Sequence, residues 1–388
     1  MTFTGTATYD VYSNEIGESV SELVALVSPM ETPFLDDVGD QGEPIASPYY
    51  TWLDKWLLPD TFSMSSAIGS SAATSYGIEV GANADLIRVG DILRSPRTIT
   101  GVYEAMAVTS IGASVATIYV TRAYAGTTAN SANVAGDSLV FLGSAVEEGS
   151  GARTQRRRGK SLKGNFVQNF REDIEISFLE SGAKPKSIGQ AADPYDEEVA
   201  DKTKDIVKQL ERSTIMGRTN GNTIGADSAE TTMAGIYYSI ATNVVSHATF
   251  SNSIFNNLIA NMNGYTDFSA NANKYGIYAG TTAYRLMSNS NAATVNTVID
   301  QGQIGKAPAV TYFTDLGTLS IKHLRWLPTG SVLVIRKDFI KVKAYRGNSF
   351  ANHRFDQGKT AKEGYIAGTY GVEFHQEQAH GRFDGLST

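Results

Sequence analysis

The stretch that most constrains this chain is residues 193–217, DPYDEEVADKTKDIVKQLERSTIMG. It predicts one long helix. Asp193 is placed to cap the N-terminus, and Pro194 sits at the first helical position, where a missing N–H costs nothing. Asp196, Glu197 and Glu198 put negative charge on the positive end of the helix dipole. Val199, Ile206, Leu210 and Met216 recur at roughly helical spacing and form the expected core face, which Val207 widens. Gly217 supplies the stop. Roughly 23 residues at about 1.5 Å each make a rod on the order of 35 Å long. No other segment predicts a helix of that length, so the remaining elements must pack on it or hang from it.

The chain before the helix falls into pieces. Residues 1–45 read as an arm. Ile16, Val20, Leu23, Val24 and Val27 have helical spacing, and the proline-punctuated SPMETPFLDDVGD after them offers only Phe34 and Leu35 to bury. From residue 49, YYTWLDKWLLPDTF reads as a strand and holds Trp52 and Trp56, two of the three tryptophans. Residues 84–143 are a distinct block of apolar runs (86–89, 103–108, 116–120 and 139–142) separated by turn signals at Gly90, Gly112, Gly126 and Gly136. That spacing predicts a small β-barrel or sandwich, inserted into its surroundings. Residues 46–164 then form one extended excursion with the insert at its tip. Its returning side is basic, carrying Arg153, Arg156, Arg157, Arg158, Lys160 and Lys163. Residues 165–177 alternate apolar and polar as a strand does. Beyond the long helix, 253–263 predicts a helix capped by Ser253, 275–279 a strand and 282–289 a helix. Strands are expected again at 332–335, 339–345 and 365–376.

The residue inventory speaks against catalysis. There is no Cys, which removes thiolate chemistry, disulfides and cysteine metal sites together. RRRGKS at 156–161 ends like a phosphate-binding loop, but Thr154 stands where GxxxxGK[ST] needs Gly. His247, His323, His353, His375 and His380 show no zinc-site spacing and read as surface or hydrogen-bonded residues. The acidic pairs Asp36/Asp37 and Glu147/Glu148 read as solvated. No catalytic residue, no metal site and no cofactor is expected. A net charge of −7 argues against a chain whose main task is wrapping nucleic acid, yet it suits a surface that faces packed DNA without sticking to it. No apolar run is long enough for a membrane span, and the N-terminus has no signal-peptide pattern. Long polar loops, an arm and a β excursion bury little of their own surface. They make sense when other copies of the chain cover them.

The order of these parts resembles the α+β Hong Kong 97-type fold of tailed-phage major capsid proteins, in the branch carrying a small β insertion on the extended loop. The residues that carry the resemblance are Glu31, Thr32, Pro33 and Phe34 in the arm, and Trp52 with Asp54 entering the loop. Asn165, Gln168, Ile174 and Ser177 match the strand before the spine helix, and Glu211 and Gly217 match the end of that helix. Thr314, Asp315, Leu316 and Gly317 match a late loop, and Gly371 with Glu373 the last strand. Val167 departs from the Thr usual in that branch.

The resemblance implies an N-terminal arm at 1–45 and an extended loop at 46–164 with its barrel at 84–143. It also implies a peripheral domain of 165–235 and 331–388 with spine helix 193–217, and an axial domain at 236–330. It implies a non-enzymatic subunit that assembles into hexamers and pentamers of an icosahedral head around double-stranded DNA. Portal, scaffolding or decoration proteins are its implied partners, and its place is the virion after synthesis in the host cytoplasm. Phe34, Trp52, Trp56, Arg153, Arg156, Arg157, Arg158, Lys160 and Lys163 are then expected at contacts between subunits. An encapsulin-like compartment shares this fold and is the nearest alternative. A β-rich decoration or tail protein and a hydrolytic enzyme are the others.

Overall fold

The computed structural model describes residues 32–39, 43–55, 60–69, 75–81, 84–99, 101–112, 116–146, 148–151, 159–181, 194–220, 230–292, 311–346, 348–355 and 361–387. The helix expected within 15–27, the cap at Asp193, Trp56, Arg153, Arg156, Arg157 and Arg158 lie outside the described residues. The chain divides into two compact units, one of Met1–Trp52 with Lys163–Thr388, the other of Leu53–Leu162.

In the first unit the described residues begin with helix α1 (Pro33–Val38), followed by strand β1 (Tyr49–Asp54). The second unit builds one antiparallel sheet from β2 (Thr61–Ser63), β3 (Tyr76–Glu79), β4 (Asp91–Ile99), β5 (Val102–Ile111), β6 (Thr117–Thr121) and β7 (Ser138–Ser144). Their order is β2-β7-β4-β5-β6-β3. The outer strands approach each other at a bridge of Met64 with Val80, where Ser65 N–H donates to Glu79 O at 2.9 Å and Gly81 N–H to Ser63 O at 2.8 Å. Phe62, Met64, Ile68 and Ile78 share one core with Leu93, Met106, Ile118 and Leu139. The unit therefore extends well outside 84–143.

Residues 86–89 are not a strand. Ala84–Leu86 is a single 3-10 turn, Gly90 takes the left-handed conformation (φ 84°), and the Asp91 carboxylate accepts from Arg88 N–H at 2.7 Å, so pairing starts only at Asp91. A fully buried Arg122–Glu104 ion pair (2.7 Å) ties the middle of the sheet. The Glu104 carboxylate also accepts the N–H groups of Ala123 (3.0 Å) and Asn130 (2.7 Å), which satisfies the buried charge.

Strand β8 (Ser161–Phe166) pairs with β1 and is followed by β9 (Gln168–Ser177), the short α2 (Phe178–Ser181) and the long α3 (Pro194–Met216). Next come α4 (Ile236–Ser239), β10 (Val244–Ser246), α5 (Asn252–Asn263), β11 (Tyr275–Ala279) and α6 (Thr281–Ala292). The chain ends with β12 (Thr311–Thr314), β13 (Gly317–His323), β14 (Val332–Arg336), β15 (Ile340–Ala344), β16 (Ala351–Arg354), β17 (Ala361–Phe374) and β18 (Gly381–Asp384).

Two sheets organise the first unit. In one, β17 is the centre: β9, β15 and β16 all pair with it antiparallel. Helix α3 lies on this sheet, and Tyr195, Ile206, Leu210 and Ile215 join Phe170, Ile174, Ile366 and Val372 in one core. Ile206 and Leu210 were expected there. Val199 and Met216 are only half-buried, and Ile215, one residue earlier than the expected Met216, is fully enclosed.

The second sheet runs β10-β18-β14-β11-β13-β12 and packs on α5. Strand β14 pairs antiparallel with β11, Val334 opposite Ile277, and β18 pairs with both β14 and β10. Residues 332–336 and 381–384 thus belong with the sheet of 236–330 rather than with the one beneath α3. The uninterrupted apolar run of β14 fits such a central, doubly covered position. The N-cap position of α5 is held by Ser251 rather than Ser253, without a side-chain capping hydrogen bond.

Candidate functional site: a junction at the end of the long helix

The second half of α3 is where the arm, the stem of the excursion and the last strands meet. The arm comes first. Phe34 is completely buried and meets Tyr278 edge-on, with ring centroids 5.3 Å apart. Asp37 accepts the Tyr278 hydroxyl at 2.7 Å and pairs with Lys322 at 2.9 Å and Lys337 at 3.2 Å. Burial pushes the Asp37 carboxyl up, but hydrogen bonds from Lys322 and Tyr278 and the nearby lysine charges outweigh it and hold it below its ordinary value. Tyr278, Lys322 and Lys337 of the second sheet region thereby clamp a short side chain that sequence alone reads as solvated.

Helix α3 contributes Glu211, which is fully buried. One of its oxygens accepts Leu35 N–H at 3.3 Å; the other has no hydrogen-bond partner. Burial pushes the carboxyl up to about 7, the N–H groups of Leu35 and Phe34 and the Lys322 charge oppose the rise, and Asp36 adds to it. Below that pH the side chain is a neutral acid holding the arm's first turn. Above it, a charge sits in the core.

The stem comes next. Asn165 uses its whole amide: Nδ2 donates to Val372 O (3.0 Å) and Ala234 O (3.2 Å), while Oδ1 accepts from Ala234 N–H (2.8 Å) and Phe166 N–H (2.9 Å). Gln168 reaches the helix itself, donating to Ser213 Oγ at 3.4 Å and accepting from Met233 N–H at 3.3 Å. Gly217 ends α3 for a steric reason. A Cβ there would run into the carbonyl oxygens of Ser213 and Met233, and Gly235 N–H donates to Gly217 O at 2.8 Å. Gly371 is bare for the same kind of reason: a Cβ would strike the Tyr50 ring. The Trp52 ring lies tilted against those of Tyr50 (5.8 Å) and His375 (5.7 Å), and Glu373 binds Lys343 at 2.7 Å and His375 at 3.4 Å. Burial raises the Glu373 carboxyl, but the bonds from His375 and Lys343 prevail and leave it below its ordinary value.

The junction is held by packing and by a polar network in which one Glu211 oxygen, the Tyr50 hydroxyl and the Trp52 indole N–H are left without a hydrogen-bond partner among the described residues. Among the described residues no group of three His, Cys, Asp or Glu side chains is placed to hold a metal ion. His380 is fully buried, its two ring nitrogens facing Arg336 N–H (3.2 Å) and His375 O (3.1 Å), and burial pushes it down to about 3.

Of the residues expected between subunits, Phe34 lies inside its own chain's core and Trp52 is half-buried against it. Lys160 and Lys163 are exposed. The residues that carried the family resemblance fare differently. Thr32, Phe34, Asn165, Gln168, Glu211, Gly217, Gly371 and Glu373 come together at this junction, from four separate parts of the sequence. Thr314 and Gly317 instead close the turn between β12 and β13 in the second sheet. Asp37, Lys322 and Tyr278 were missed by sequence reading.

A family model described as the SU10 major capsid protein matches residues 2–387. No protein with a curated description matches. Among solved structures, the capsid of an empty GTA particle is similar at 9% identity, covering 98% of this chain and 99% of that one with a TM-score of 0.51. Mycobacterium phage Cain follows at 9% identity, 97% of each chain and a TM-score of 0.47. The holo-SrpI encapsulin complex from Synechococcus elongatus covers 58% of this chain and 76% of that one, at 8% identity and a TM-score of 0.41. The mixed helix-and-sheet architecture is of the Hong Kong 97 type, and with a match running from end to end the chain belongs to the SU10 major capsid protein family, a phage head shell protein.

Proposed function

We propose that many copies of this chain assemble as hexamers and pentamers into an icosahedral head that encloses double-stranded DNA, with no enzymatic step of its own. The observation that carries this reading is the junction itself: one rigid centre fastens the arm and both ends of a 110-residue excursion, Leu53–Leu162. Parts built to protrude need anchoring of this kind, and their own exposed surface needs a neighbour. Leu53, Leu142, Val146 and Leu162 of the excursion are each more than half exposed (54, 56, 58 and 65%), which fits a loop lying over an adjacent copy.

In this reading α3 and the β17-centred sheet form the peripheral domain. The β11/β14 sheet forms the axial domain, and the Leu53–Leu162 sheet is a small barrel inserted in the extended loop. The basic run Arg153, Arg156, Arg157, Arg158, Lys160 and Lys163 meets acidic surface on neighbouring subunits. A portal and a scaffolding or decoration protein complete the head, and the subunit is made in the host cytoplasm. Nuclease treatment of particles purified from an infected culture tests the contents. Double-stranded DNA that survives and co-sediments with this chain is expected. Particles filled with a protein cargo and free of nucleic acid would instead favour the compartment reading.

A further inference from the structure

A second feature of α3 takes no part in the junction. Arg212 is exposed, and its guanidinium carbon lies 3.8 Å from the centroid of the Trp326 ring. Arg325, also exposed, lies 5.3 Å from the same ring. One half-buried indole thus holds two cations. Among the described residues neither arginine has a carboxylate at ion-pair distance, whereas Arg171, Arg336, Arg354 and Arg382 of the same unit pair with Asp173, Asp338, Asp196 and Asp384. The chain carries 40 acidic against 33 basic side chains, so unmatched arginines are not forced by a shortage of acids.

A guanidinium held against an aromatic ring keeps N–H donors for an anion and has less rotamer freedom left to lose when one arrives. Two like charges sharing a ring repel each other until that happens. We propose that the Arg212–Trp326–Arg325 stack is a contact that receives carboxylates from a second copy of this chain. The proposal rests on the shell reading above. The occupant follows from charge: every copy brings an excess of acids. The solvent side of α3 itself presents Asp201 and Asp205, 51% and 56% exposed, which among the described residues pair with Lys204 and Lys208 of their own helix.

The test compares wild type with Arg212→Gln/Arg325→Gln and Arg212→Lys/Arg325→Lys, reading subunit melting and the fraction of chain in particles by light scattering, from low to high salt. The Gln pair is expected to melt as wild type does but to lower the particle fraction about tenfold and flatten its salt dependence. The Lys pair keeps the charge but not the planar donor edge, and is expected to recover part of the yield. Gln-pair shells formed at wild-type yield and salt response overturn the proposal. So does a Lys pair that fails as fully as the Gln pair, or normal shells that have lost nucleic acid, which would make phosphate the partner. If wild type forms no particles under any condition, the shell reading falls first and this contact with it.

Discussion

Replacing Glu211 by Gln should make the chain more stable at neutral pH and leave it unchanged in acid. Gln copies the shape of the neutral carboxyl and can still accept Leu35 N–H, but it cannot ionise. A carboxyl raised from 4.5 to about 7 corresponds to about 3 kcal/mol between its two protonation states. The folded pKa lies above the unfolded one, so the folded state binds the proton more tightly. That stability is complete below pH 4.5, falls as pH rises through 7, and is absent above it. Wild type and Glu211→Gln should therefore unfold alike at acid pH and diverge by up to about 3 kcal/mol above neutrality. Asp37 and Glu373, held below their ordinary values, act in the opposite sense at low pH in both proteins and cancel in the comparison. Urea unfolding of the unassembled subunit at several pH values gives the difference directly, with hydrogen exchange at the Leu35 amide reporting on the arm. A difference that does not change with pH would refute the buried-acid account of this junction.

Other perturbations read other parts. Leu210→Asp places an unpaired charge in the core beneath α3 and should cost about 3–5 kcal/mol, seen as loss of soluble protein; normal yield and melting would mean the helix buries a different face. Asn165→Ala leaves several groups of Val372 and Ala234 unmatched and should cost about 3 kcal/mol in unfolding experiments, while a neutral outcome would make the stem's attachment independent of that amide. Excising residues 55–160 and joining the paired strands β1 and β8 by a short glycine linker should leave the first unit melting cooperatively while altering particle size or yield. Shells identical to wild type would show the second unit to be dispensable for assembly.

Much of the frame was legible because its signals are local. The long helix announces itself by proline, first-turn acids and apolar spacing, and β11 and β14 by short runs with turn signals at their ends. Strand β4 was hidden: DILRSPRTI has a single apolar pair, Ile92-Leu93, and an internal Pro96, so neither alternation nor a continuous run marks it. The junction was legible only through resemblance. Asn165, Glu211 and Glu373 owe their roles to partners far along the chain, and no window around any of them shows those partners. Asp37 is the clearest case. An acid beside another acid reads as solvated until Tyr278, Lys322 and Lys337 are brought to it. Phe34 failed in the reverse sense, assigned to a neighbouring copy because its own partner, Tyr278, is equally remote in sequence.

The most direct test of the account is the form of the purified protein under negative-stain electron microscopy, beside light scattering of the same sample. Closed shells, or rings of five and six subunits, are the predicted result. A small oligomer of fixed size that also turned over a generic glycoside or ester substrate would contradict it.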